Sequence, residues 1–438
     1  MNKRQHADAL RSAEGAIPVI KDPQLTLFDL TVCLSDAMDL VCPALVSHHK
    51  QVAYLSARIA EEMGLGYDAQ KDLVLAGALH DIGALSLQER LDTLEFETSR
   101  TESHPEIGNA LLHLFQPLAR VGDIVRHHHR QWNGGLGNEH EGQGVPVESH
   151  ILHLADRVAV LINKGDTVLG QAPGIVAKIT AQGNRMFRPD VVSAFQSAAE
   201  KEQFWLDAVS STIYRMLRQK TRLKTLVLDL AQLKDLALFF SKIIDFRSKF
   251  TATHSCGVSA SAQAIARSAG FSKRECELMG IAGHLHDLGK LAVPKEILEK
   301  PGSLTREEFD IIRTHTYHTY RILDTLEDFD TINTWAAFHH ERLNGKGYPF
   351  HHNGDVLSLG SRIMCVADVF TAIAEDRPYR KGMQQHEVAK VLASMTQANT
   401  LDKEIVALLT ENIENINYLR EQAQAESARQ YRELFMAT

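Results

Sequence analysis

Residues 278–290 read LMGIAGHLHDLGK. Leu278, Ile281, Ala282 and Leu285 recur with helical spacing, so the stretch forms an apolar stripe that carries His286 and Asp287 to the end of a buried helix, where Gly289 is placed to stop it. With 22 histidines in 438 residues, about one His-Asp pair is expected by chance. The chain has a second in GALHDIGA, residues 77–84, and its surroundings match too.

The first half reads SHHKQVAYLSARIA, GALHDIGA, SHPEIG, HHHRQWNGG and HLADRV; the second reads THSCGVSASAQAIA, HLHDLGK, THTYHT, HHERLNG and CVADVF. His48 to His80 and His254 to His286 are both 32 residues apart, and His104 to His128 and His315 to His339 are both 24. Asp156 and Asp368 follow His129 and His340 by 27 and 28 residues, and FRPDVVSAF (187–195) corresponds to LDKEIVALL (401–409). Such agreement between halves that otherwise diverge marks an internal duplication. Strong helix formers and 3- and 4-residue apolar spacing predict an all-α chain.

Histidine nitrogens with aspartate oxygens and no thiolate suit Fe, Mn, Ni, Co or Zn better than an all-oxygen Mg or Ca site. His254, His286, Asp287, His315, His339, His340 and Asp368 are too many for one ion that must also bind water and substrate. Two ions bridged by Asp287 and a hydroxide account for the number. A packed core has no need for seven ligand-type residues in a repeated order.

At 438 residues the chain suits two domains. No apolar run approaches the ~18 residues of a membrane helix, and the first twenty residues lack a signal-peptide core, so no membrane association and a cytoplasmic location are expected. The five cysteines have no paired spacing, which fits reduced, mostly buried thiols. A net charge of −8 excludes the broad basic face of a duplex-binding protein. An anionic ligand therefore needs a local positive pocket.

The motifs HDLGK and HHERLNGKGYP, with VADVF and RPYRKG, resemble the HD-domain metal-dependent phosphohydrolases, and the second half looks like their HD-GYP branch over roughly residues 240–415. The resemblance implies two tandem HD-type helical domains and hydrolysis of a cyclic dinucleotide, cyclic di-GMP or 3'3'-cyclic GMP-AMP, to a linear dinucleotide by a metal-bridging hydroxide. It implies two divalent ions, Fe or Mn ahead of Ni, Co or Zn. Carried over by position, the ligands are His254, His286, Asp287, His315, His339, His340 and Asp368, with Asp287 and Lys290 as the catalytic pair. Lys290 would contact the scissile phosphate, Arg377 and Arg380 the rest of the substrate, and Gly345, Gly347, Tyr348 and Pro349 would form the GYP loop. Two arginines suit a ligand with two phosphates because each guanidinium grips oxygens bidentately.

Departures from the family pattern fall at Phe250, where some members have a glutamate ligand for a third ion, and at Thr319, Asn344 and Thr371. Asn344 and Thr371 are candidates for lining the pocket. His284, His318, His351 and His352 are read as surface or supporting residues. The first half keeps His48, His80, Asp81, His104, His128, His129 and Asp156, a second candidate metal site, but Ala84, Arg130, GGLGN and Gly165 replace the phosphate-gripping groups. It is read as a degenerate HD domain with a regulatory or dimerising role, and His127 and His150 as bystanders.

The expected organisation is residues 1–205 as the degenerate domain, 206–240 as a helical linker and 241–438 as the catalytic domain. Leu223, Leu226, Leu230, Leu233, Ala237 and Phe240 step by 3 and 4, either as an interdomain helix packed on its own chain or as a homodimer seam. The alternatives to the enzyme are a non-catalytic signalling scaffold and a phosphohydrolase of another nucleotide phosphoester.

Overall fold

The computed structural model describes residues 24–39, 47–84, 96, 103–163, 165–221, 225–247, 253–376 and 380–436. Phe250, Leu223 and Arg377 lie outside the described residues. The described residues are helical almost throughout, with only short two-stranded pairings, and the chain divides into two units, one of Thr26–Leu226 and one of Val227–Ala437 together with the segment that ends at Leu25.

The N-terminal unit contains α1 (Leu27–Asp39), α2 (His48–Glu62), α3 (Tyr67–Leu79), α4 (His104–His113), α5 (Ala119–Arg126), α6 (Val147–Leu161), α7 (Val168–Thr180), α8 (Pro189–Ala199), α9 (Glu202–Ala208) and α10 (Ile213–Thr221). The hairpin β1 (Glu139–His140) and β2 (Gln143–Gly144) is antiparallel with Glu139 opposite Gly144. Helix α2 lies against both α3 and α6.

The C-terminal unit contains α11 (Leu230–Arg247), α12 (His254–Ser268), α13 (Lys273–Leu285), α14 (Lys295–Leu298), α15 (Arg306–Leu323), α16 (Asp330–Ala337), α17 (Leu359–Ala374), α18 (Gln385–Gln397), α19 (Lys403–Glu411) and α20 (Ile413–Met436). Helix α12 is enclosed by α13, α17 and α20. Helix α13 starts in a full capping box, with Ser272 and Glu275 each satisfying the other's backbone N–H. Its stripe Leu278, Met279, Ile281, Ala282 and Leu285 is buried; each large member contributes about 1.5–3 kcal/mol over exposure. Helix α15 starts in the same kind of box, between Thr305 and Glu308.

The duplication survives at the atomic level. A Cβ on Gly283 would lie 2.6 Å from Ser259 Cα, and one on Gly77 would lie 2.5 Å from Ala53 Cα. In both units a glycine therefore lets the helix that ends in the His-Asp pair cross close to the helix that starts at the first histidine. That crossing brings His254 to His286, and His48 to His80.

The stretch 206–240 is shared between the units. Helix α10 buries Ile213 and Leu217 in the N-terminal unit, and α11 buries Leu233, Leu236, Ala237 and Phe240 while packing on α13. Each helix finds apolar cover within its own unit. Among the described residues no helix is long and apolar enough to cross a membrane.

Candidate metal centre

In the C-terminal unit the seven expected ligands converge as two clusters. His254, His286 and Asp287 form one, and His315, His339 and His340 the other. Asp287 joins them: Oδ1 lies 3.5 Å from His315 Nε2 and 4.0 Å from His339 Nε2, while Oδ2 lies 3.1 Å from His286 Nε2. Asp368 spans the other side, with Oδ1 3.2 Å from His254 Nε2 and Oδ2 3.7 Å from His340 Nδ1. All are buried except His340, which is partly exposed.

Helix carbonyls aim the rings. His286, His315 and His339 each set Nδ1 against the carbonyl three residues back, Gly283 at 2.8 Å, Ile312 at 2.6 Å and Ala336 at 2.7 Å. Donation from Nδ1 to a carbonyl fixes the tautomer that leaves the Nε2 lone pair facing the centre. His254 uses Glu375 instead, Nδ1 to Oε1 at 2.9 Å, and Gln424 Nε2 donates to the other Glu375 oxygen at 2.8 Å. Glu375 and Gln424 were not singled out from the sequence. Glu375 stands seven residues after Asp368, on the same face two turns on, and that spacing could have identified it.

The electrostatics follow from this crowding. Burial pushes His254 down, but Glu375 and Asp368 outweigh it and hold the imidazole up at about 10. Burial lowers His315 to about 4 and His340 to about 3, and His339 goes well below its usual value. Burial raises Asp287, yet His286 and Lys290 keep it well below the carboxylate range; Asp368 is held down by His254 and His340.

Lys290 sits on the joining carboxylate, Nζ to Asp287 Oδ2 at 2.6 Å. The turn that carries it is tied by Thr319, whose hydroxyl donates to His286 O at 3.0 Å and accepts from Gly289 N at 2.9 Å. In the GYP loop Gly345 has φ +70°, and a Cβ on Gly347 would come within 2.4 Å of Glu341 Cα, so only glycine fits there. Tyr348 lies beside His340, ring centroids 4.9 Å apart, with the Arg313 guanidinium 5.0 Å from its ring. Pro349 follows Tyr348 through a cis peptide bond. Phe350 N donates to the buried Glu341 carboxylate at 2.7 Å, so the loop is anchored next to the ligand pair.

The Arg380 guanidinium donates to the carbonyls of Ala372 at 2.7 Å and Ile373 at 3.4 Å, at the end of α17. Asn344 bonds to Ala398 O and Lys346 N within the loop. Thr371 is fully buried, its hydroxyl 3.2 Å from Ser261 Oγ between α17 and α12. Neither Asn344 nor Thr371 approaches the ligand cluster through these contacts. His352 stacks on Phe350, and His284 is partly buried and lowered to about 4 by burial and Lys242.

The N-terminal unit repeats the arrangement. His48 Nε2 lies 3.2 Å from Asp156 Oδ1, His80 Nε2 3.3 Å from Asp81 Oδ2, and His104 Nε2 3.5 Å from Asp81 Oδ1. His128 and His129 complete the second cluster around His104, at 3.3 and 3.1 Å. Burial lowers His80, but Asp81 and Asp156 raise it to about 10. Arg157, fully buried, pairs with Asp156. A cavity of about 680 Å³ opens beside His129, lined also by Arg126, His127, Arg130 and His140. Arg126 there is already paired with Glu106 and Glu141.

These donor sets fit divalent first-row ions. They combine imidazole and carboxylate without sulfur, and His286 Nε2, wholly buried 3.1 Å from Asp287 Oδ2, has no well-aligned hydrogen-bond partner among the described residues.

The HD domain family matches residues 32–169 and 239–405. The 3'3'-cGAMP-specific phosphodiesterase 1 of Vibrio cholerae serotype O1 is 28% identical over 389 residues, covering 87% of this chain and 90% of that protein. The 3'3'-cGAMP-specific phosphodiesterase 3 of the same organism is 34% identical over 282 residues, 64% of this chain and 60% of that protein. Cyclic di-GMP phosphodiesterase PA4108 of Pseudomonas aeruginosa is 40% identical over 146 residues, 33% of this chain and 35% of that protein. In fold, the crystal structure of a cyclic GMP-AMP specific phosphodiesterase of V. cholerae, V-cGAP3, matches 89% of this chain and 98% of its own with a TM-score of 0.61 at 24% identity. With one match in each half and the histidine-aspartate clusters in both, the chain belongs to the HD domain family.

Proposed function

We propose that this chain is a metal-dependent phosphodiesterase that opens a cyclic dinucleotide to its linear form in the C-terminal unit, with 3'3'-cyclic GMP-AMP as preferred substrate. The observation that carries it is Asp287, one carboxylate set between two histidine clusters, with the Lys290 ammonium at 2.6 Å. When bound, a pair of divalent ions supplies Lewis acidity and a water acidified enough to attack phosphorus. His254, His286, Asp287 and Asp368 would hold one ion, and His315, His339, His340 and Asp287 the other. Iron or manganese is favoured by the mixed nitrogen and oxygen donors.

The protein's own groups do the rest. Lys290 is placed to hold a phosphoryl oxygen as charge develops on it. The anchored GYP loop sets Tyr348 at His340, where it can shape the substrate's approach. Arg377 and Arg380 remain candidates for the second phosphate, Arg380 only if it leaves the α17 carbonyls it now binds. Preference for the mixed dinucleotide is supported by coverage: the relative aligned along 87% of this chain is cGAMP-specific, whereas PA4108 aligns with 33%. The buried, scattered thiols favour a cytoplasmic setting.

The test is product analysis of full-length protein loaded with Mn or Fe against cyclic GMP-AMP, cyclic di-GMP, cyclic di-AMP and a nucleotide monoester. The linear mixed dinucleotide should form fastest, and a protein that cleaves only the monoester would refute the assignment.

A further inference from the structure

His49 has no counterpart in the C-terminal centre. Aligning His48 with His254 places His49 opposite Ser255, which is buried. His49 is 1% exposed, and its two nitrogens have different surroundings. Nδ1 lies 2.5 Å from Asp39 Oδ1, while Asp39 Oδ2 accepts from Ser47 N at 3.0 Å, so both carboxylate oxygens are fixed. Nε2 is buried without a hydrogen-bond partner among the described residues and faces the cluster, 4.0 Å from Asp81 Oδ2, with the ring 5.3 Å from that of His80 and 5.6 Å from that of His48. Among the described residues His48 Nε2, His80 Nε2 and Asp156 Oδ1 likewise lack a well-aligned hydrogen bond, with His48 Nε2 3.2 Å and His80 Nε2 3.7 Å from Asp156 Oδ1.

We propose that His49 is an additional metal ligand of the N-terminal unit, held in its ligating tautomer by Asp39. This rests on the reading of the HD clusters as metal sites. Donation from Nδ1 to Asp39 leaves the Nε2 lone pair directed at His80 and Asp81, the carboxylate–imidazole–metal arrangement that raises ligand basicity. A gap of 4.0 Å is too long for a hydrogen bond. It suits two ligands each ~2.1 Å from a shared ion, which stand ~3–4 Å apart. The exchange between the units also makes chemical sense. In the C-terminal centre the Lys290 ammonium covers Asp287 Oδ2; in the N-terminal centre Ala84 stands in its place and Asp81 Oδ2 faces His49 and His80. The amine suited to phosphate is gone, and an imidazole suited to metal has been added.

The experiment uses full-length protein with its C-terminal centre removed by His286→Ala and Asp287→Ala, so that metal is counted without reference to turnover. Cobalt(II) is titrated in, bound metal is counted by mass spectrometry and the visible d–d spectrum recorded. The parent should retain cobalt; Asp39→Asn, which keeps the carboxamide shape, should weaken binding 10–100-fold; His49→Ala should weaken it at least tenfold and change the spectrum. Parent-like affinity and spectrum in both variants, or no cobalt in the parent, would overturn the proposal. Should His49→Ala fail to fold by circular dichroism, Asp39→Asn alone decides. Failure here leaves the C-terminal activity untouched, because that is measured in the unmodified chain.

Discussion

Lys290 and Glu375 work on opposite sides of the C-terminal centre, and substitutions should separate their roles. Lys290→Met removes the ammonium from Asp287 while keeping the stem. Turnover should fall ~10²–10³-fold, the scale for losing one electrostatic contact to a transition state, with bound metal unchanged when counted by mass spectrometry. Glu375→Gln keeps the shape but removes the charge behind His254, so metal affinity should drop ~10–100-fold on titration. The seven candidate ligands are legible because their spacing is repeated, and Lys290 because it follows the His-Asp pair within the motif. Glu375, Thr319 and His49 are not. Glu375 acts through another side chain, Thr319 reads as a departure from the family glycine although its hydroxyl ties the Asp287 turn, and His49 has no match in the second half, where only its neighbour His48 has a counterpart in His254.

Helix contacts set the precision of the site. Gly283→Ala would push a methyl against Ser259 backbone at 2.6 Å; overpacking of this kind costs ~1–3 kcal/mol, and the loss should register in urea unfolding along with a weakened hold on metal, since α12 and α13 carry His254 and His286. On α17, the Cys365 thiol donates to Phe338 O at 3.3 Å and Glu341 O at 3.5 Å, the carbonyls flanking His339 and His340. Burial pushes that thiol up to about 12, so it stays protonated and should resist iodoacetamide in the native protein at pH 8, reacting only after denaturation. Periodicity announced the helices and the stripe that buries α13. It did not announce where the units divide, because the 3- and 4-residue steps through 223–240 look the same whether a helix joins two domains or belongs to one. The apolar cover that α13 supplies to α11 is a tertiary property that residue spacing does not record.

Across the whole molecule, the duplication visible as two equal spacings of 32 and two of 24 is realised as two units with matching helix crossings. Their buried histidines give the fold an acid limit. Burial, with Arg126 and Arg188 nearby, lowers His127 and His150 to about 4. These rings stay neutral in the fold while the unfolded chain takes up protons below about pH 6.5. Stability is therefore lost as pH falls from about 6.5 to about 4, by at most about 1.4 kcal/mol per pH unit for each ring, and less where solvent screens it. Urea midpoints at pH 7, 5.5 and 4.5 should decrease in that order. The central claim is that one carboxylate, Asp287, serves both ions of the catalytic centre. Its most direct test is the metal count of full-length Asp287→Ala, made in a chain whose N-terminal centre has been removed by His80→Ala and Asp81→Ala. The account predicts that two bound ions fall to none after dialysis against metal-free buffer, whereas retention of both would contradict it.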